Sequence, residues 1–243
     1  FKELYDRGMV AVVQGIGYPD SNRSHFRGMD VMHTCTPNEV STVGWLGNTI
    51  EILDPVGENP LTGVNFGVGL PKAMTKSGVP VTSVSNLDTY GLMSGINAQE
   101  QRDEALEIFK NMYAQAIGSG PVMDYLSRTG NDVLTGADII KVAPEKYESS
   151  VEYSDSAIAK SLRDVVRVHT ADLGTRIFYT QQGGYDTHAN QAPAQPGLFR
   201  DLAGAVNDFF ADLEEHNADE NVVMLIFTEF GRRVYDNGSG TDH

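Results

Sequence analysis

Apolar residues along this chain fall into two patterns. Met9-Val10-Ala11-Val12-Val13-Gln14, Thr175-Arg176-Ile177-Phe178-Tyr179-Thr180 and Val222-Val223-Met224-Leu225-Ile226-Phe227 are short runs rich in β-branched or apolar residues. They predict strands, the last of them buried on both faces. Between the second and third runs, Phe199, Leu202, Val206, Phe209, Phe210 and Leu213 recur at helical spacing, which makes this region a strand–helix–strand unit. A right-handed crossover would set its strands parallel and bring the residues after each to one edge of the sheet. Helical stripes also predict helices over 24–34, over 100–117 through Leu106, Phe109, Met112, Tyr113 and Ile117, and over 122–128. Another follows a Ser154-Asp155 cap and carries Ile158, Leu162, Val165 and Val166. Residues 37–84, dense in Gly, Pro, Asn and Thr, read as irregular structure with one or two more strands, and Trp45-Leu46-Gly47 as a packed turn. Phe1 to Tyr5 reads as the tail of a helix, and Tyr147 to Tyr153 as a connecting loop.

Composition narrows the classes of function. The 243 residues suit one α/β domain spanning 1–243, with no internal repeat or linker. Eighteen basic against 33 acidic residues give a net charge of −15, which argues against nucleic acid or an anionic membrane as the main partner. No apolar run approaches the roughly 18 residues of a membrane span. Cys35 is the only cysteine, so neither an internal disulfide nor a thiolate metal cluster can form.

Polar clusters follow each apolar run. After the second comes Gly183-Gly184-Tyr185-Asp186-Thr187-His188. Glycines let the backbone turn off the strand, and Asp-x-His at a strand's carboxyl end is a natural pair of ligands for a divalent metal such as zinc. A turn in which Asp186 caps a helix is the competing reading. After the third run comes Thr228-Glu229-Phe230-Gly231-Arg232-Arg233, and after the first, Gly15-Ile16-Gly17 and then Asn22-Arg23-Ser24-His25-Phe26-Arg27. Arg23 and Arg27 on one helix face, or Arg232 and Arg233, suit a bound anion, with surface ion pairs as the alternative. Ser24 reads as a helix N-cap or as a nucleophile. His25 reads as a ligand or general acid, or as a half-buried helix residue, the second being preferred. His33, His169 and His216 are assigned to no site.

Tyr18-Pro19-Asp20-Ser21-Asn22-Arg23-Ser24-His25-Phe26, Gly44-Trp45-Leu46-Gly47, Gly183–His188, Thr228–Arg233 and Gly240-Thr241-Asp242-His243 together resemble the bacterial family known as domain of unknown function 1501. The resemblance spans essentially the whole chain. That family is grouped with the alkaline phosphatase and sulfatase superfamily and often carries a twin-arginine export signal. The resemblance therefore implies a three-layer alkaline-phosphatase-like α/β fold, a largely parallel sheet between helices, and a periplasmic or secreted location for the full-length protein. Both ends of the chain are expected to be cut, with the superfamily's first metal-binding aspartate upstream of Phe1.

By position, the resemblance implies Ser24 as nucleophile, Asp186, His188 and His243 as ligands of one metal, and Glu229 as a surviving carboxylate of a second site. Phe230 stands where that second site would have its imidazole. Arg23 or Arg232 would contact the oxyanion. The implied function is a metal-dependent hydrolase, zinc being the expected ion, acting on small-molecule or glycan-type phosphate or sulfate esters. The alternative is a non-catalytic binding protein on the same fold with a degraded metal site.

Overall fold

A computed structural model describes residues 1–88, 99–114 and 120–243. The elements run α1 (Lys2–Asp6), α2 (His25–Thr34), α3 (Trp45–Leu53), β1 (Gly63–Phe66), β2 (Thr82–Val84), α4 (Gln99–Ala114), α5 (Pro121–Ile140), α6 (Ala143–Lys146), α7 (Ala157–Thr170), β3 (Ile177–Thr180) and α8 (Gln191–Glu215). Short 3-10 turns at Lys72–Met74 and Asp219–Asn221 complete the described residues. The sheet has the order β2-β1-β3 and is parallel throughout, with Val64 opposite Thr82 on one side and Phe178 on the other. The protein is thus a mixed α/β chain with a small all-parallel sheet among helices. Among the described residues no helix is long and apolar enough to cross a membrane.

The core forms where two helical stripes meet the central strand. Ile158, Leu162, Val165, Val166 and Val168 of α7 pack with Ala205, Val206, Phe209 and Leu213 of α8 and with Val64 and Phe66 of β1. The cap of α7 is Ser156, whose hydroxyl accepts from the Ala159 amide at 3.3 Å, two residues beyond the serine that the sequence suggests. α5 runs well past the predicted 122–128, and the end of the predicted 100–117 helix lies outside the described residues.

A buried carboxylate ties α8 to the extended loop before α7. Asp212 is fully buried, and the hydroxyls of Tyr147 and Tyr153 donate to its Oδ2 at 2.6 and 2.8 Å. Burial, with the bond to Asp212, pushes both tyrosine hydroxyls far above their usual range. Removing one donor from a buried carboxylate leaves its oxygen undersatisfied. Tyr153→Phe is therefore expected to lower stability by about 1.5–3 kcal/mol, measured by urea unfolding; an unchanged midpoint would show that the bond contributes nothing net.

Three expectations are corrected. Residues 9–14 and 222–227 are not strands: in neither does the backbone join the sheet's ladder. Val10, Val222 and Met224 pack against the core, but Val13 is 73% and Val223 97% exposed. An apolar run records a preference for burial, whereas a strand also needs a neighbouring backbone in register, and neither segment has one among the described residues. Trp45-Leu46-Gly47 is the first turn of α3 and not a packed turn. Its glycines serve close approach: a Cβ on Gly44 would lie 2.1 Å from the carbonyl oxygens of both Lys72 and Ala73, and one on Gly47 would lie 2.7 Å from that of Thr75.

Candidate functional site

Four segments far apart in sequence meet beyond β3. β3 ends at Thr180, and the chain turns through Gly183-Gly184, the latter at φ +93°, into Tyr185-Asp186-Thr187-His188. The start of α2 supplies His25, the segment after 222–227 supplies Glu229 and Phe230, and the last residues supply Asp242 and His243.

The last segment is held by a tight turn. The side-chain oxygen of Asn237 accepts from the amides of Ser239 and Gly240 at 3.0 and 2.8 Å, and its Nδ2 donates to the His188 carbonyl at 3.0 Å. Gly240 permits this closeness, because a Cβ there would stand 2.7 and 2.8 Å from the carbonyl oxygens of His188 and Thr187. Arg232 fastens the same two segments. Its Nη1 donates to the Thr241 carbonyl at 2.6 Å, its Nη2 to the Tyr185 carbonyl at 2.5 Å, and its guanidinium lies 5.0 Å from the Phe230 ring centre.

Inside this frame imidazoles converge on one carboxylate. His25 Nε2 lies 2.9 Å from His243 Nε2 and 3.3 Å from Asp186 Oδ2. His243 Nε2 lies 3.4 Å, and His188 Nε2 2.8 Å, from Asp186 Oδ1. Two of the three rings have a carboxylate behind them: Glu229 Oε1 is 2.9 Å from His25 Nδ1, and Asp242 Oδ1 is 2.9 Å from His188 Nδ1. The bond from His188 holds the Asp242 carboxyl below its usual range.

The carboxylates behind these two rings favour a proton on Nδ1. A neutral imidazole bonded to a carboxylate through Nδ1 carries its proton there and offers a lone pair at Nε2. With their protons on Nδ1, His25 and His188 would present Nε2 lone pairs to an ion seated beside Asp186, the backing that metal-binding histidines usually have. His25, Asp186 and His243 form the tightest group, their ligand atoms within 4.8 Å of one another. Nitrogen and carboxylate donors without a thiolate fit a zinc-like divalent ion.

The residues singled out in the sequence are placed as follows. Asp186, His188 and His243 stand together at the centre. Glu229 is beside them, with Oε1 on the back of His25. Ser24 is the residue before His25 and the N-cap of α2, but its exposed hydroxyl does not bond the helix amides. Arg232 reaches the edge of the cluster, 3.6 Å from Asp186 Oδ1, while spending its main hydrogen bonds on backbone carbonyls. Arg23 is exposed and makes no ion pair among the described residues. Arg27 does not pair with it, because its Nη2 donates to the carbonyls of Thr36, Pro37 and Glu39.

For His25 the sequence left open a ligand or general-acid role and a half-buried helix position, with the second preferred; the structure places it on the helix start and at the centre of the cluster. Its adjacency to Ser24 in a polar segment was the only signal. His33, His169 and His216 lie elsewhere: His33 bonds the Tyr179 hydroxyl at 3.1 Å, His169 meets the Phe178 ring edge-on, and His216 faces Asp212. Burial lowers the pKa of His33 and His169, favouring their neutral forms.

Comparison with curated proteins and with solved structures gives no match. A family profile does match, over residues 14–243, which takes in all four segments of the cluster. The chain belongs to that family, described as Protein of unknown function (DUF1501).

Proposed function

We propose that this protein is a metal-dependent hydrolase of phosphate or sulfate esters, built on an alkaline-phosphatase-like three-layer fold and acting in the periplasm or outside the cell after twin-arginine export. The observation that carries the reading is the convergence of His25, His188 and His243 on Asp186, with Glu229 and Asp242 backing two of the rings. The all-parallel sheet among helices supports the fold assignment, and the site's place beyond the carboxyl end of β3 suits it.

Asp186, His25 and His243 would hold the ion, with His188 at its side. When bound, a zinc-like ion supplies Lewis acidity at the ester oxygen and favours the ionised form of a nearby hydroxyl. The chain's own groups do the rest. Glu229 keeps the proton of His25 on Nδ1, so that Nε2 stays a lone-pair donor. Ser24, at the start of α2 with an exposed hydroxyl, would be the nucleophile. Its oxygen would bond to phosphorus or sulfur as the bond to the alcohol oxygen breaks, and water would then release the inorganic anion and restore the serine. The helix N-terminus beside it favours negative charge. Arg23, exposed one residue earlier and without an ion pair among the described residues, would contact the oxyanion, whereas Arg232 positions the loops.

A specific observation favours the second reading, a non-catalytic binding protein. Phe230 sits within the cluster, its ring centre 4.8 Å from that of His25 and 4.9 Å from that of His243. It cannot ligate, so the site suits one ion better than two. Assays on 4-nitrophenyl phosphate and 4-nitrophenyl sulfate separate the readings. The hydrolase reading expects chelator-sensitive turnover that Ser24→Ala reduces by at least about 100-fold, given the size of nucleophile effects. Tight metal binding without turnover would leave the binding protein.

A further inference from the structure

A cavity of about 620 Å³ opens beside the cluster, against the first turns of α8. Its shared wall is Arg232 and Thr241, the residues that frame the imidazoles. Pro196, inside α8, lies on the floor next to Ala192. A proline there has no amide hydrogen for the Ala192 carbonyl four residues earlier, which opens the helix locally. Phe199 supplies an apolar platform: it is 51% exposed and braced by the Tyr185 ring at 5.6 Å.

The polar groups around this floor are donors. Gln191 and Gln195 use their side-chain oxygens to accept from Thr241 and Thr187, at 3.0 and 3.3 Å, which leaves their amide NH2 groups to donate. The Arg233 guanidinium lines the cavity and makes no hydrogen bond or close ion pair among the described residues, although its charge also acts on the Asp242 carboxyl. Among the described residues no carboxylate lines the cavity, although the chain as a whole carries a net charge of −15. A cavity with an apolar floor, a guanidinium whose donors make no hydrogen bond among the described residues and two amide donors favours an oxyanion attached to an apolar body over a cation.

We infer that this cavity binds an amphipathic organic anion, an aromatic or aliphatic body lying on Phe199 with a carboxylate, phosphate or sulfonate-type group on Arg233 and the glutamine amides. Its place next to Asp186 makes it the pocket for the non-reacting part of the substrate. That last step rests on the hydrolase reading, whereas anion binding does not. The substrate class that follows is an ester whose alcohol portion is itself apolar and anionic, in preference to a neutral sugar.

Naphthalene-2-sulfonate, which offers no ester bond to hydrolyse, is the probe, titrated calorimetrically into the protein with chelator present. Binding is expected, and Arg233→Ala and Phe199→Ala should each weaken it by about 10-fold or more, the range for losing a charge-assisted bond or an aromatic contact. Gly204→Ala, where an added Cβ meets nothing within 4 Å and which does not line the cavity, should leave it unchanged. 2-Naphthol, with the same rings and no full charge at neutral pH, should bind at least about 10-fold more weakly. No binding of the sulfonate, equal binding of the naphthol, or unchanged affinity in both cavity variants would overturn the assignment. The two readings fail separately: sulfonate binding with no ester turnover keeps the pocket and removes the hydrolase, and turnover without sulfonate binding does the reverse.

Discussion

Replacing Gly240 with alanine is expected to weaken zinc binding by about 10–100-fold while leaving the helical circular dichroism of the protein intact. The added Cβ would fall 2.7 Å from the His188 carbonyl oxygen and 2.8 Å from that of Thr187. Both are backbone atoms, so the conflict is relieved only by moving one segment off the other. The segment that moves carries Asp242 and His243. His243 would leave Asp186, and Asp242 would leave the Nδ1 of His188. Disturbing the groups that orient a ligand typically costs 10–100-fold in metal affinity. Gly240 lies outside the α7–α8 core, so global unfolding is not expected. Unchanged zinc affinity in Gly240→Ala would show that His243 contributes nothing to the site.

The largest effect on stability is expected at Gly44. An alanine there would place Cβ 2.1 Å from two carbonyl oxygens, Lys72 and Ala73, in a segment already bonded to it through the Gly44 amide and the Thr75 carbonyl at 2.8 Å. No side-chain rotation relieves contact with backbone. Overpacking typically costs 1–3 kcal/mol, and more where nothing can shift, so a loss of about 3 kcal/mol or more is expected. For a chain of this size that is a fall of roughly 6–12 °C in melting temperature. Gly204→Ala is the control, since a Cβ there meets nothing within 4 Å and the position lies within α8; its melting temperature should stay level or rise. Similar behaviour of the two variants would mean that α3 does not seat against residues 72–75 as described.

The parts of this fold legible in the sequence are those in which local pattern and burial coincide. α7 and α8 bury most of the residues that their helical spacing marks, because each stripe meets the other and the central strand; Phe199, 51% exposed at the start of the α8 stripe, is the exception. β3 carries β-branched and aromatic residues and joins β1 as a parallel neighbour. The runs at 9–14 and 222–227 look alike in composition, but pairing depends on a second backbone that composition does not describe. Trp45-Leu46-Gly47 shows the opposite error. Glycines suggest a turn, yet here they let a helix approach a neighbouring segment.

The site was legible in its loops and hidden on its helix. Asp186 and His188 announce themselves by spacing, and His243 by its motif. His25 does not, because a histidine after a capping serine looks the same whether or not it faces anything. Its partners Glu229 and His243 lie 204 and 218 residues further along the chain. Only the folded arrangement reveals that Glu229 stands behind an imidazole, or that Arg232 is occupied by backbone carbonyls while Arg233 makes no hydrogen bond through its guanidinium among the described residues.

Zinc titration of metal-free protein, comparing wild type with His25→Ala and His169→Ala, tests the central claim most directly. His25 is the residue for which the sequence preferred a plain helix position over a ligand role, and His169, packed edge-on against Phe178 away from the cluster, controls for loss of any histidine. Wild type and His169→Ala are expected to bind zinc alike, and His25→Ala to bind at least about 100-fold more weakly, beyond the range of a disturbed supporting group. Equal zinc affinity in all three proteins would contradict a metal centre built on His25, Asp186 and His243.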